Sequence, residues 1–326
     1  MSISRYRSRL IAGITVCTVF FAIITPAFAY TISSVTAEVH NDFVLEPGKM
    51  EVVVNPGDQI TKFIAVTNRI KDTVDFKVEV EDFIGSRDSN NPVILLGNDR
   101  SPYSFKDNLK PEIGEFSLKF GERMTLPIVI DVPKDAQPGG YYASVLVSNA
   151  PSKDDGSDSS TTLGKTKIIS RLGILFFIRV SGPVNQDGAV QDFKIQGPPQ
   201  IIYPKSPDGF EILFENTGSI HLVPYGLVTI KNTIGKTVMT LPVDAYFSLP
   251  NSLRYRTINW GDKGFRLGRY TATLNLNRGY NNVVDTRTIS FWIIPWKILL
   301  TIIAVIALLT FVIYFITSRF EFRRKK

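Results

Sequence analysis

"PKDAQPGGYYASVLVS" (Pro133–Ser148) resists helix in its first half, turns at Gly139–Gly140 and then reads as a strand. Its outline returns 128 residues later, counted from Tyr142 to Tyr270, in "DKGFRLGRYTATLNL" (Asp262–Leu276). Both stretches carry Gly-x-Tyr, as Gly140/Tyr142 and Gly268/Tyr270. A second landmark also recurs: an earlier strand-like run ends on asparagine in "FIAVTN" (Asn68) and again in "ILFEN" (Asn216). Asparagine suits a strand exit because its side chain bonds local backbone groups and tolerates left-handed geometry. In β-sandwiches a tyrosine entering the penultimate strand pins the corner through its hydroxyl. Asn68, Gly140, Tyr142, Asn216, Gly268 and Tyr270 therefore read as structural corners at matching places in two related units.

The runs between these landmarks are strand-like throughout. "KMEVVV", "ITKFIAVTN", "RMTLPIVIDV" and "IISRLGILFFIRV" are β-branched or aromatic segments bounded by turn residues. In "VDFKVEVEDF", Val74, Phe76, Val78 and Val80 alternate with Asp75, Lys77, Glu79 and Glu81, the period of a sheet with one wet face. After "RVSGP" (Arg179–Pro183) the pattern begins again with "AVQDFKI", "FEILFEN", "YGLVTIKN" and "KTVMTLPV". About seven short strands per unit predict an all-β exterior of two tandem immunoglobulin-like β-sandwich domains, at 30–183 and 184–295.

Asn68 and Tyr142 stand 74 residues apart, Asn216 and Tyr270 only 54. The surplus falls in an insertion at 85–115, and a loop of that length in a compact module is functional or disordered more often than incidental. The Tyr-started strands differ too. In the second unit Tyr270, Ala272, Leu274 and Leu276 face one way and Arg269, Thr271, Thr273 and Asn275 the other. In the first, the face opposite Tyr142 carries Tyr141, Ala143, Val145 and Val147. Either the insertion covers this apolar face or a partner does, which makes Tyr141, Val145 and Val147 candidate partner-binding residues.

The chain ends place the body. Residues 1–29 hold Arg5, Arg7 and Arg9, an apolar run and "AFA", the pattern of a cleaved secretory signal peptide. "ILLTIIAVIALLTFVIYFIT" (Ile298–Thr317) is uncharged and, at about 1.5 Å per residue, covers a bilayer's hydrocarbon. Trp292 and Trp296 precede it, and the basic tail 319–326 follows. The expectation is one transmembrane helix at 296–318, with the bulk of the chain extracytoplasmic and the tail cytoplasmic: a single-pass cell-membrane protein. The net charge of +7 lies in the leader and the tail, leaving the exported body neutral. That excludes a nucleic-acid surface. The one cysteine, Cys17, sits in the leader, so the body has no disulfide or thiolate chemistry.

Catalytic patterns are lacking. His40 and His221 are the only histidines, too few for a zinc cluster, and His221 reads as an ordinary loop histidine despite Ser219 nearby. Glu79 and Glu81 read as solvated charge. Asp154, Asp155 and Asp158, in the polar loop Ala150–Thr166, lack the spacing of a calcium loop. No cofactor, metal or catalytic residue is expected, and the chain is not read as an enzyme.

"LEPGKMEVVVNPGDQITKFIAVTNRIKDTVDFKVEVEDF", "VPKDAQPGGYYASVLV" and "RLGILFFIRVSG" resemble the first domain of the bacterial WxL-interacting surface proteins. The likeness is clearest at Pro56–Asp58, Asn68, the Gly-Gly-Tyr-Tyr run and the "RLG" strand. That family has a signal peptide, two immunoglobulin-like domains, a C-terminal span and a basic tail. The resemblance implies a membrane-anchored binding or scaffolding protein of the bacterial envelope that engages peptidoglycan or another surface protein. The alternatives are a membrane-tethered, chaperone-like assembly factor lending a strand edge to clients, or an accessory subunit of a membrane complex.

Overall fold

The computed structural model describes residues 30–150 and 169–319, except 87, 89, 90, 262 and 263. The expected leader, the polar loop from 151 with its three aspartates, and the tail beyond Arg319 lie outside the described residues.

The first unit contains β1 (Thr31–Ser34), β2 (Phe43–Glu46), β3 (Lys49–Val54), β4 (Gln59–Asn68), β5 (Val74–Gly85) and β6 (Val93–Leu95). It continues with β7 (Leu109–Pro111), β8 (Glu115–Leu118), β9 (Glu122–Asp131), β10 (Gly139–Ala150) and β11 (Arg171–Val180). A five-stranded sheet runs β1-β9-β4-β2, with β7 also on β9. A six-stranded sheet runs β3-β11-β10-β5-β6, with β8 also on β5. The second unit contains β12 (Gly188–Ile195), β13 (Ile202–Tyr203), β14 (Gly209–Asn216) and β15 (Tyr225–Lys231). Then come β16 (Thr237–Val243), β17 (Ser252–Asn259), β18 (Gly268–Asn277) and β19 (Val284–Ile293). Its sheets are β12-β14-β17 and β13-β19-β18-β15-β16.

Each pair of sheets closes over its own core, one built on Ile64, Phe76, Leu126, Val145 and Phe176, the other on Phe210, Phe214, Val228, Leu274 and Phe291. The alternation of β5 explains its place: Phe76 and Val78 are buried, while Glu79 and Glu81 pair with Arg171 outside. The topology also repeats. β2 pairs antiparallel with β4, the chain changes sheet at Pro47–Gly48, and β3 then runs parallel to β11. In the second unit β12 pairs with β14, and β13 then runs parallel to β19.

The two asparagines do the same work in both units. Asn68 Oδ1 accepts the Ile70 N–H at 2.8 Å, while its Nδ2 donates to the carbonyls of Asp72 (3.0 Å) and Leu118 (2.9 Å). Asn216 Oδ1 accepts the Gly218 N–H at 2.9 Å, and its Nδ2 donates to Ile220 O (2.9 Å) and Ser248 O (2.8 Å). Neither is among the residues with positive φ, so hydrogen bonding selects asparagine here and left-handed geometry does not.

The insertion is ordered around one carboxylate. Asp82, fully buried on β5, accepts backbone N–H groups from Ser101, Phe105 and Lys106, each at 3.2 Å. Lys106 then caps the carbonyls of Asn98 and Asp99 at 2.7 and 2.8 Å.

One helix, α1 (Trp296–Arg319), follows β19 with only Ile294 and Pro295 between. It is long and apolar enough to cross a membrane and is exposed along its length. Its hydroxyls at Thr301, Thr310, Thr317 and Ser318 bond helix carbonyls one turn back, which satisfies them within the helix.

Candidate functional site

The Gly-x-Tyr motifs occupy the same strand of each sandwich but opposite faces. In β18, Tyr270 points inward and packs near Trp260 and Phe291, with centroids 6.3 and 6.2 Å away. In β10 the inward set is Tyr141, Ala143, Val145 and Val147. Val145 and Val147 are wholly buried beneath the opposing sheet. Tyr141 rests 5.9 Å from Phe105 of the insertion and donates its hydroxyl to Gln137 O at 3.0 Å. The expectation that Tyr141, Val145 and Val147 bind a partner is therefore corrected: they line the sandwich interior. The apolar alternation starts one residue earlier in the first unit, which turns Tyr142 outward.

The corner role of Tyr142 and Gly140 is corrected with it. The Tyr142 hydroxyl accepts the backbone N–H of His221, in the second unit, at 2.7 Å, so it pins the neighbouring domain. Gly268 has a φ of 114°, which favours glycine, but Gly140 is not among the residues with positive φ. A Cβ at Gly140 would lie 2.2 Å from Tyr142 Oη. Glycine stands there because the phenol folds back over it.

These residues build a joint between the domains. Phe83 (β5), Tyr142 (β10) and Phe177 (β11) form an aromatic patch on the outer face of the six-stranded sheet, closed by Leu249 and Phe247 from the loop between β16 and β17. Phe177 lies 5.1 Å from Phe247 and 4.8 Å from the His221 ring. The insertion clamps the joint from the side. Asn251 Nδ2 donates to Tyr103 Oη at 2.7 Å, Arg254 donates to Asp88 O at 2.5 Å, and Tyr142 N donates to Tyr103 O at 2.9 Å. Gly85 meets the second unit so closely that a Cβ there would lie 2.6 Å from the Cβ of Ser252. Sequence reading missed the joint. "GSIHLVPY" carried its one chemical signal, a histidine, but the aromatics opposite come from three separate strands.

Charge surrounds His221 unevenly. Its Nε2 lies 3.6 Å from Glu51, and Glu51 takes the Lys49 ammonium at 2.6 Å. Burial pulls the imidazole below its ordinary value, against the opposing pull of Glu51. The unfolded chain then binds more protons at this position than the folded one. The joint's stability is complete above about pH 6.5 and declines as pH falls below it. The expected result is that two-domain unfolding, followed by near-ultraviolet circular dichroism, weakens on acidification from pH 7.5. His221→Gln should flatten that dependence, and an unchanged slope in the variant would refute this assignment. Ser219 is engaged elsewhere, with its hydroxyl on Asn185 O at 3.3 Å, so it is not aligned with the imidazole.

The second feature is a free strand edge. β10 pairs with β11 from Arg171 to Val180, but β3 covers the other side of β11 only from Leu175 onward. The cause is the sheet change at Pro47–Gly48, which carries the chain away from the first half of β11. Leu175 N donates towards β3, to Gly48 O at 3.3 Å. By the two-residue period, Arg171 and Gly173 also aim their N–H and C=O groups to that side. Among the described residues no strand receives them, and Ile169 and Leu172 beside them are exposed.

No family model and no curated protein matches the chain. Among solved structures it is similar to the class 5 fimbriae chaperone CfaA, with 11% identity, a TM-score of 0.38, and coverage of 77% of this chain and 99% of that one. The E. coli chaperone DraB is 15% identical, with a TM-score of 0.33 and coverage of 79% and 98%. The CsuC–CsuE chaperone–tip adhesion subunit complex of Acinetobacter baumannii gives 14%, 0.35, and 78% and 99%. The chain has an all-β, immunoglobulin-like architecture with, among the described residues, a single C-terminal α-helix.

Proposed function

We propose that the chain is a membrane-tethered, extracytoplasmic, non-catalytic binding protein that holds an extended segment of another envelope protein as an added strand on the free half of β11. This is the assembly-factor alternative of the sequence reading. The observation that carries it is the edge at Arg171–Ile174, which no strand among the described residues pairs, with Ile169 and Leu172 exposed beside it. An open edge supplies main-chain donors and acceptors to any extended peptide, and flanking apolar side chains favour alternating apolar clients. The clamped joint keeps the two sandwiches in one arrangement while the edge is used. α1 serves as the tether, and its satisfied hydroxyls favour an anchor over a helix docked in a membrane complex.

The test uses the full-length chain in detergent micelles and fluorescent peptides of alternating Val and Ser. The peptides should bind the parent chain. Leu172→Asp, which places a charge on the edge, should weaken binding at least about tenfold, whereas Leu227→Asp in the second unit should not. Equal binding by all three proteins would refute the proposal. Co-sedimentation with purified sacculi, indifferent to Leu172→Asp, would instead favour the peptidoglycan contact that the WxL-interacting resemblance implies.

A further inference from the structure

The end of the second sandwich that meets α1 differs from its other surfaces. β19 runs from Val284, near the first unit, to Ile293 at the far end, and α1 starts three residues later. Ile298 of α1 shares one hollow with Pro204, Phe265 and Ile293, so the helix begins against the base of the domain. Among the described residues outside α1, the two most exposed large apolar side chains are Ile234, at 83%, and Ile201, at 77%. Both belong to this end. Ile201 O accepts the Trp292 N–H at 2.9 Å, and Ile234 tips the β15–β16 turn, which Thr233 fastens to Arg269 at the start of β18. Phe265, at 62%, and Leu267 extend from the adjoining loop, and Trp292 is exposed on β19 beside Ile202.

Apolar side chains left this exposed are unfavourable in water, the more so when they gather at one place. They come from four chain segments, and no packing within the domain requires them to project. What they share is position, around the first turn of an apolar helix. Trp292 and Trp296 favour the depth at which a bilayer's headgroups meet its acyl chains. Lys297, whose ammonium lies 5.6 Å from the Trp296 ring centre, offers a cation at the same level, while Lys205 is paired with Asp208 at 3.2 Å.

We propose that the base of the second sandwich is a lipid-binding surface, with Ile201, Ile234, Phe265, Leu267 and Trp292 seated in the headgroup region of the leaflet that α1 enters. The domain is then held by its loops as well as by the helix. A single tether would let it swivel, whereas several inserted points fix its axis and carry the free edge of β11 at a set height. The proposal rests on reading α1 as a bilayer span.

The full chain supplies its own test, because Cys17 is its only cysteine. In a Cys17→Ser background, cysteines placed singly at 201, 234, 265 and, as a control, 227 are labelled with an environment-sensitive fluorophore. The protein is reconstituted in phosphatidylcholine–phosphatidylglycerol vesicles. Leu227 is also exposed, but it lies towards the first unit, at the other end of β15 from Ile234. Emission from 201, 234 and 265 should be blue-shifted relative to 227 and quenched by headgroup-level spin labels. Water-like emission at 234 and 265, in chain that resists alkaline carbonate extraction, would overturn this proposal alone. Release of the chain by carbonate would overturn the span reading, and the proposal with it.

Discussion

Tyr142→Ala should split the ectodomain's unfolding into two separate transitions and cost about 3–5 kcal/mol of coupled stability, the usual range for deleting a buried aromatic side chain. The ring is 1% exposed and touches Phe83, Tyr103, Phe177 and His221, so its removal opens a cavity at the centre of the joint. It also strips the His221 N–H of its acceptor. Tyr142→Phe separates the two effects. It keeps the ring contacts and loses the 2.7 Å hydrogen bond together with the 3.5 Å approach to His221 Nδ1, leaving a partly buried donor unpaired at the lower end of about 1–3 kcal/mol. Thermal unfolding read at two probes, one in each sandwich, distinguishes these outcomes. The parent should show coincident transitions, the alanine variant separated ones, and the phenylalanine variant a lowered but still joint transition. Coincident, unshifted melting of the alanine variant would mean that the joint couples nothing.

Asn216→Asp is expected to harm the second sandwich more than Asn216→Ala. The amide donates to two carbonyls and accepts one N–H, all three bonds buried. Alanine leaves Ile220 O and the Gly218 N–H unpaired, a loss of about 2–4 kcal/mol when two such groups are stranded, while Ser248 O keeps the Leu222 N–H at 2.9 Å. Aspartate is nearly isosteric, yet it faces the same two carbonyls with an acceptor and a buried negative charge, so it adds repulsion and desolvation to the loss. Asn68 makes the equivalent contacts in the first unit, but its bonds to Asp72 O and Ile70 N are only partly buried. Its aspartate variant should therefore be the milder of the two. Denaturant titration of the three single variants reads the order directly. A harmless Asn216→Asp would show that the corner does not depend on the amide's donors.

Some of this architecture was already legible in the chain. The period of Val74–Glu81 predicted a half-wet strand because side-chain direction alternates whatever the partner, and β5 has that form. The repeated asparagines marked equivalent places in two units because the hydrogen-bonding needs of a strand exit are local, whereas the Gly-x-Tyr motifs marked the same strand but not the same role. The apolar run before the basic tail similarly determined a long exposed helix, since length and hydropathy are properties of the segment alone.

Which face each strand turns to its core was settled only by tertiary structure. "GGYYASVLV" offers apolar residues on both sides, and only the opposing sheet selects Tyr141, Val145 and Val147 for the interior, leaving Tyr142 for the neighbouring domain. The same holds for the insertion. Its sequence shows a long segment with some apolar character, but its fastening to Asp82 and its grip on Asn251 and Arg254 join residues far apart along the chain. The free edge at Arg171–Ile174 is a property of β3 as much as of β11, because it exists where a strand from elsewhere in the chain stops. Local chemistry sets what each segment can form. Pairing between distant segments decides which surfaces are buried, which are joined and which stay open.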